Sequence, residues 1–443
     1  MLSEDTNLSR RDFFKELGMV GGGGMMLSAF PWLQSCSADD KAKIVKEKVR
    51  IGFIGTGSRG QFHLNNLKSN PIADVVALCD NYPPHLKDAS AIFPKAKRYV
   101  DYRRLLEDKD IQAVMIATPL NEHAHMTIES LQAGKHVFCE KSMAMTPQDC
   151  LNMYNTFKQS GKVLFIGQQR LYDPKYVRVM EMIHNGLIGT ICGIRAYWFR
   201  NNDWRRPVPS PELERKINWR LYKATSCGLM TELATHQLQV GNWALKMIPE
   251  TVTGMGDIVF WKDGREVYDN VSLIYRYSNG VKMTYESIIS NKFYGLEEEI
   301  LGNKGTVEPE KGRYYFEDVK PAPGIMQLIN QIEHKVFDNV SFAGPSWVPE
   351  TASINKGEMI MDHMTAHDGA SSVGASDDGT VELETAFCEA AITGKPAKNL
   401  VEEAYYSSVL GLLGLQAMEE NRIVTFPAEY KIPYLNFAWK GSI

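Results

Sequence analysis

Val49-Arg50-Ile51-Gly52-Phe53-Ile54-Gly55-Thr56-Gly57-Ser58-Arg59-Gly60 is the stretch that decides the fold of this chain. Its first six residues are nearly all apolar, as expected of a strand covered on both faces of a parallel sheet. Three glycines follow at once, and Gln61 to Lys68 continues as a predicted helix. The spacing has a physical reason. The first glycine permits a tight turn, the second lets backbone approach a pyrophosphate, and the third lets helix and strand touch. A second predicted strand, Asp74 to Cys79, ends at Asp80. A carboxylate there can accept hydrogen bonds from a ribose 2′-hydroxyl and would repel a 2′-phosphate, which favours NAD over NADP. Taken alone, the glycines would equally describe a structural turn. Their place between two strands and ahead of an acid gives them meaning.

The alternation continues downstream. Ala113 to Ala117 reads as a strand ending in Thr118-Pro119, and His123 to Ala133 as a helix stopped by Gly134. His136 to Cys139 is the next strand and runs into Glu140-Lys141. Thr146 is placed to cap a helix that Pro147 begins, and Val163 to Gly167 closes the set. Strands and helices at this spacing imply a doubly wound parallel sheet with its ligand at the strands' C-terminal ends. Thr118, Pro119, Glu140 and Lys141 share that location, which marks them as site residues.

From Ile191 the pattern becomes strands without regular intervening helices. Thr251 to Trp261, Val271 to Tyr277, Val281 to Ile289 and Glu297 to Leu301 alternate, with Ser278-Asn279-Gly280 as a hairpin turn. An open, mainly antiparallel second sheet is the expectation. Asn201 to Trp219, rich in Trp, Arg and Pro, reads as an ordered loop over a site. The weakly periodic region from Pro309 to Thr380 reads as a lid. Met230 to Leu245 reads as a helix. One stripe carries Glu232, His236, Gln239 and Trp243, and the opposite side is apolar. Glu232 and His236, four apart, are expected to hydrogen-bond. Without further context, a solvated polar face with an incidental Glu–His pair is the better explanation of that stripe.

These motifs together resemble the Gfo/Idh/MocA oxidoreductases. The resemblance rests on Gly55-x-Gly57-x-x-Gly60, Asp80, Thr118-Pro119 with His123, and Ala133-Gly134-Lys135-His136-Val137-Phe138-Cys139-Glu140-Lys141. Gly228-Leu229-Met230-Thr231-Glu232-Leu233-Ala234-Thr235-His236 and Val424-Thr425-Phe426-Pro427 extend it over nearly all of residues 48–430. Two departures stand out. Ser142 replaces the proline that usually follows the Glu-Lys pair, and Glu232 stands where Asp is frequent. The resemblance implies an α/β Rossmann domain (residues 46–167) and an α+β substrate domain with a large, mainly antiparallel open sheet (residues 168–443). The C-terminal helix and tail of the second can pack back on the first.

Roles follow from the same resemblance and from the chemistry. Oxidising a secondary alcohol moves a hydride to nicotinamide while a base takes the hydroxyl proton. His236 is the expected base, with Glu232 orienting its ring and favouring its protonated form. Lys141 is expected to donate to the substrate oxygen. The cofactor set is Gly55, Thr56, Gly57, Ser58, Arg59, Gly60, Asp80, Thr118, Pro119, His123, Glu140 and Lys141, with His123 alternatively capping a helix. Arg170, Tyr172 and Trp204 are candidates for holding sugar hydroxyls or a ring face, though packing explains the two aromatic residues nearly as well.

Composition bounds the partners. The chain has 443 residues, which suggests two or three domains at about 150 residues each. Lys+Arg 49 against Asp+Glu 53 leaves a net charge of −4, so no electrostatic argument favours nucleic acid. The seven cysteines, Cys36, Cys79, Cys139, Cys150, Cys192, Cys227 and Cys388, form no CxxC pair, and no metal site is expected. The expected partner is a small sugar, cyclitol or glycoside, with a homo-oligomer as the assembly.

The first 36 residues read as an address. Ser9-Arg10-Arg11-Asp12-Phe13-Phe14-Lys15 is a twin-arginine cluster, and the run from Leu17 to Leu33 is too short and glycine-rich for a membrane span. Leu33-Gln34-Ser35-Cys36 resembles a lipoprotein cleavage box. The expectation is export by the twin-arginine route to the periplasm, with Cys36 as a lipid anchor. The alternative is an N-terminus with two chance arginines. An exported dehydrogenase has no soluble NAD pool, so its cofactor would stay bound and be restored in every cycle. Paired oxidation and reduction of two sugars does this. So does redox-neutral glycoside cleavage by oxidation, elimination, hydration and reduction. NAD-dependent glycosidases of this fold carry Trp-Glu-Trp-His and Tyr-Arg-Arg-Asp, where this chain has Asn121-Glu122-His123 and Arg170-Leu171-Tyr172-Asp173. Hydrolysis therefore ranks second, and a catalytically silent NAD- or carbohydrate-binding lipoprotein third.

Overall fold

The computed structural model describes residues 47–317, 358–359, 378–397 and 399–433. The twin-arginine segment, Cys36 and most of the expected lid lie outside the described residues.

Six strands form the first sheet: β1 (Val49–Ile54), β2 (Ala73–Cys79), β3 (Lys97–Tyr99), β4 (Ala113–Ile116), β5 (His136–Cys139) and β6 (Leu164–Ile166). Their order is β3-β2-β1-β4-β5-β6, and every pairing is parallel. The order reverses between β1 and β4, and that switch point opens the crevice in which such sheets bind their ligands. Helices α1 (Ser58–Ser69), α2 (Pro83–Ile92), α3 (Tyr102–Leu106), α4 (Leu120–Gln132) and α5 (Pro147–Ser160) connect the strands. The expected cap of α5 is present, Thr146 Oγ1 accepting from the Asp149 N–H at 3.1 Å.

After α6 (Pro174–His184), the long strand β7 (Ile191–Phe199) begins a second sheet. Helix α7 (Thr235–Leu245) follows, then β8 (Thr251–Asp257), β9 (Asn270–Arg276), β10 (Lys282–Ile288), β11 (Leu296–Gly302), β12 (Gly305–Glu308), β13 (Arg313–Phe316) and β14 (Glu358–Met359). With β15 (Val424–Thr425) they order β14-β13-β12-β11-β7-β10-β9-β8-β15. Only β7 and β10 pair in parallel. The turn at Ser278-Asn279-Gly280 closes as a hairpin, Tyr277 N–H donating to the Val281 carbonyl at 2.9 Å. β8 stops at Asp257, short of the expected Trp261. There the chain wraps around Asp269, whose carboxylate accepts the N–H groups of Val259, Phe260 and Trp261 at 2.7–2.9 Å.

Two late helices bind the parts together. In α8 (Thr380–Thr393), Phe387 is fully buried against Phe138 and Phe165 of the first sheet, with ring centroids 5.7 and 5.6 Å away. Burying one such side chain contributes about 1.5–3 kcal/mol. In α9 (Leu400–Glu419), the backbone lies against α5, α7 and β8, so both sheets share one apolar core.

Candidate active site

The glycine-rich turn fits a dinucleotide. Gly55 has φ +88, and a Cβ there would stand 2.7 Å from the Ala117 carbonyl group. A Cβ on Gly60 would stand 2.1 Å from the Gly55 oxygen, so this glycine is what lets α1 meet β1. Asp80 Oδ2 accepts from Thr56 N–H at 2.8 Å and Thr56 Oγ1 at 3.2 Å, and Oδ1 accepts from Tyr82 N–H at 2.8 Å. Burial raises the Asp80 pKa, but His85 and the Tyr82 and Thr56 N–H groups outweigh it, and the carboxyl sits below its usual range. At the end of β4, the buried Thr118 Oγ1 and Asn121 Oδ1 have no partner. An ionised acid, a cradle that a methyl group would fill and two orphaned oxygens on the switch point suit a bound NAD, which supplies the hydride acceptor when present.

Arg59 and Glu140 turn towards each other. Arg59 Nε donates to Glu140 Oε1 at 2.7 Å, and the buried His63 Nε2 meets the same oxygen at 2.7 Å. His63 Nδ1 meets Glu384 of α8. Glu140 Oε2 accepts from Lys141 N–H at 3.1 Å. Burial opposes the Glu140 charge, yet Arg59 and His63 hold its pKa well below the usual value. The two residues thus brace the turn and the strand end.

His123 neither caps a helix nor faces the crevice. It is buried inside α4, with Nδ1 2.8 Å from the Ser142 carbonyl and Nε2 3.0 Å from the Thr118 carbonyl. Two acceptors require two donors, which only the imidazolium supplies. Burial works against that charge, but the Cys139 thiol and the two carbonyls raise the pKa to about 9. His123 therefore ties the chain just after β4 to the chain just after β5.

Lys141 and Ser142 meet the segment before α7, with the Lys141–Ser142 peptide cis. Lys141 Nζ donates to the Glu232 main-chain carbonyl at 2.9 Å, and Ser142 Oγ to the Thr231 carbonyl at 2.9 Å. Met230–Ala234 is a π-helical turn, a geometry frequent at functional sites, and its carbonyls receive both side chains. Burial lowers the Lys141 pKa, as do Arg220 and Arg59, against the pull of Glu232 and Glu140.

The π turn also corrects the expected Glu232–His236 pair. It takes Glu232 off the four-residue row that an α-helix would give, and Glu232 Oε2 instead accepts from Arg220 Nε at 2.8 Å. Arg220 stacks on Trp219, its Cζ 4.2 Å from the ring centroid. His236 is buried beside Trp198, with ring centroids 5.7 Å apart, and its Nδ1 has no partner. Burial, Lys141 and Arg170 hold its pKa well below the usual histidine value, the reverse of the expected protonation. Nor is α7 two-faced. Every residue from Thr235 to Ala244 is buried, Gln239 with unpartnered amide atoms and Trp243 in the core, because α9 covers the side that would otherwise meet solvent.

The three substrate candidates separate. Arg170 is buried and ion-paired with Glu298, with Glu310 at 3.9 Å, so its guanidinium is taken up by carboxylates beside the site. Tyr172 packs 6.1 Å from Phe165, against the core under α8. Trp204, at φ 61, is half-buried in the loop after β7, its N–H donating to Asn202 Oδ1 at 2.7 Å. That loop does reach the glycine-rich turn. Arg206 Nη2 donates to Ser58 Oγ at 3.0 Å, and Lys216 Nζ to the Asn81 carbonyl at 2.9 Å. Sequence reasoning did not find Arg200, Arg206 and Arg220: the loop's composition was visible, but not which of its arginines lie against Trp198, Ser58 and Glu232.

Comparisons with known proteins agree with this fold. Residues 49–168 match the family model described as "Oxidoreductase family, NAD-binding Rossmann fold", and residues 176–308 match the "GFO/IDH/MocA C-terminal domain". The myo-inositol 2-dehydrogenase of Thermotoga maritima is 27% identical over 266 residues, covering 58% of this chain and 74% of its own. A glycosyl hydrolase family 109 protein of Shewanella pealeana is 29% identical over 237 residues, covering 48% of this chain and 50% of its own. Levoglucosan dehydrogenase in complex with NADH and levoglucosan superposes with TM-score 0.64 at 20% identity, over 86% of this chain and all of that one. The chain belongs to the Gfo/Idh/MocA family of NAD-dependent oxidoreductases.

Proposed function

We propose that this protein moves a hydride between the nicotinamide of a tightly held NAD and a secondary alcohol of a sugar or cyclitol. The observation that carries this reading is Lys141, fixed on the Glu232 carbonyl at 2.9 Å and near enough for its charge to depress the pKa of the buried His236, whose Nδ1 is unpartnered. An ammonium and a neutral imidazole side by side can donate to and accept from one hydroxyl. His236 takes the hydroxyl proton, and Lys141 stabilises the negative charge that develops on that oxygen. Arg220 holds Glu232, and Glu232 in turn holds Lys141. The contacts from Arg206 to Ser58 and from Lys216 to Asn81 lay the loop across the dinucleotide crevice, which supports retention of the cofactor.

Retention accords with the rest of the reading: export by the twin-arginine route, a lipid anchor at Cys36 and a homo-oligomer with its second sheet at the interface. A second reading, redox-neutral glycoside cleavage on the same site, is supported by the similarity to glycosyl hydrolase family 109 proteins. One preparation tests both. The protein is purified without added cofactor, assayed for bound NAD, and offered sugars and aryl glycosides with and without external NAD. Sugar-dependent reduction of bound NAD is the expected result. Turnover of an aryl glycoside without net NADH would reverse the ranking.

A further inference from the structure

The crevice carries more positive charge than its carboxylates balance. Along the chain from β7 to the π turn, most arginines have an acid. Arg195 pairs with Glu299, Arg205 with Glu214 and Asp263, Arg215 with Glu266, and Arg220 with Glu232. Arg200 and Arg206 have none among the described residues. Arg206 is exposed and donates to Ser58 of the glycine-rich turn. Arg200 is different. It leaves the end of β7 half-buried, with Cζ 5.7 Å from the Trp198 ring centroid, and His236 lies 5.7 Å from the same indole. A guanidinium without an acid and the expected base thus share one aromatic platform.

That arrangement is costly as it stands. Cation–π contact returns only about 0.5–2 kcal/mol. Against it stand the partial burial of Arg200 and repulsion from Arg220, which together push its pKa down. The Glu232 carboxylate is already committed to Arg220 and to supporting the charge of Lys141. An anion arriving with the substrate would relieve both terms, and a guanidinium's planar fork matches an acidic group well.

We infer that the substrate is an anionic sugar, bearing a carboxylate or an acid ester that Arg200 receives over Trp198 while its hydroxyl faces His236 and Lys141. The inference rests on the dehydrogenase reading above and adds the substrate's charge to it.

The test uses full-length protein loaded with NAD. It compares glucuronate with glucose, galacturonate with galactose, and each neutral sugar with its 6-phosphate. kcat/KM, ligand-induced change in Tm and NAD content are read for the wild type, Arg200→Gln and Arg200→Lys. At least one acidic sugar is expected to exceed its neutral partner by about tenfold or more in kcat/KM. Arg200→Gln abolishes that preference, Arg200→Lys keeps part of it, and NAD content holds in both. A uronate preference assigns a carboxylate, a 6-phosphate preference an ester, and both support the inference. If neutral sugars are oxidised as well as their acidic partners, or Arg200→Gln leaves the preference intact, the inference is overturned and the dehydrogenase reading stands. Loss of NAD from Arg200→Gln assigns Arg200 to the cofactor and also overturns it. Acidic sugars that raise Tm without being oxidised support the anionic subsite and count against the dehydrogenase reading. No shift and no oxidation with any sugar counts against both.

Discussion

The Lys141 ammonium donates to the main-chain carbonyl of Glu232 at 2.9 Å, while the Glu232 carboxylate turns the other way to Arg220 at 2.8 Å. One residue of the π turn therefore positions Lys141 with its backbone and supports its charge with its side chain. Removing that charge without changing shape makes the ammonium harder to keep, so Glu232→Gln should move the alkaline limb of the pH–rate profile to lower pH. The acid limb should stay where it is, because Glu232 does not touch His236. Steady-state kinetics across pH read both limbs in one experiment.

His236 is held neutral by burial and by the positive charges of Lys141 and Arg170. A base whose pKa lies well below the usual value is already competent in mildly acidic solution. Activity should therefore persist below pH 6.5, where an ordinary histidine base would be protonated. His236→Ala should lose about 10²–10⁴-fold in kcat with NAD content unchanged.

His123 contributes stability with a defined pH window. Its pKa is about 9 in the folded chain, against 6.5 for an ordinary histidine. A raised folded-state pKa stabilises fully below the unfolded value and is lost as pH rises through the folded one. Wild-type Tm should consequently fall as pH rises from about 6.5 through about 9, the two pKa values. In His123→Leu that slope should flatten. The carbonyls of Thr118 and Ser142 would lose their donor, at a cost of about 2–3 kcal/mol. Thermal melts over pH check both statements.

Gly60 has no room for a side chain, the Gly55 oxygen lying 2.1 Å from where a Cβ would be. Gly60→Ala should push α1 off β1, with a stability loss of about 1–3 kcal/mol. Bound NAD should fall with it, because the same displacement opens the turn that cradles the pyrophosphate. Tm and cofactor content, measured on one preparation, test the pair of effects.

Much of the first sheet could be read from local pattern. Each strand there is a short apolar run followed by its ligand-facing residues, so Gly55, Asp80, Thr118 and Lys141 fell at strand ends on spacing alone. The second sheet's hairpin was equally visible at Ser278-Asn279-Gly280. The site's inner wiring was not. An i, i+4 argument assumes 3.6 residues per turn, and nothing in Met230-Thr231-Glu232-Leu233-Ala234 announces the π turn that separates Glu232 from His236. The polar stripe of α7 looked solvated because the cover supplied by α9 comes from some 170 residues further along the chain. The packing of Tyr172 and Arg170 was hidden for the same reason. Their partners, Phe165 under α8 and Glu298 on β11, are fixed by tertiary contacts that no local window contains.

The central claim is that Lys141 is the donor that makes hydride transfer possible. Its most direct test is a single turnover: NAD-loaded protein is mixed with an excess of a sugar it oxidises, and the near-ultraviolet absorbance of reduced nicotinamide is followed for wild type and Lys141→Met. The variant should be about 10²–10³-fold slower with the cofactor still bound. Equal rates in two equally loaded preparations would contradict that claim.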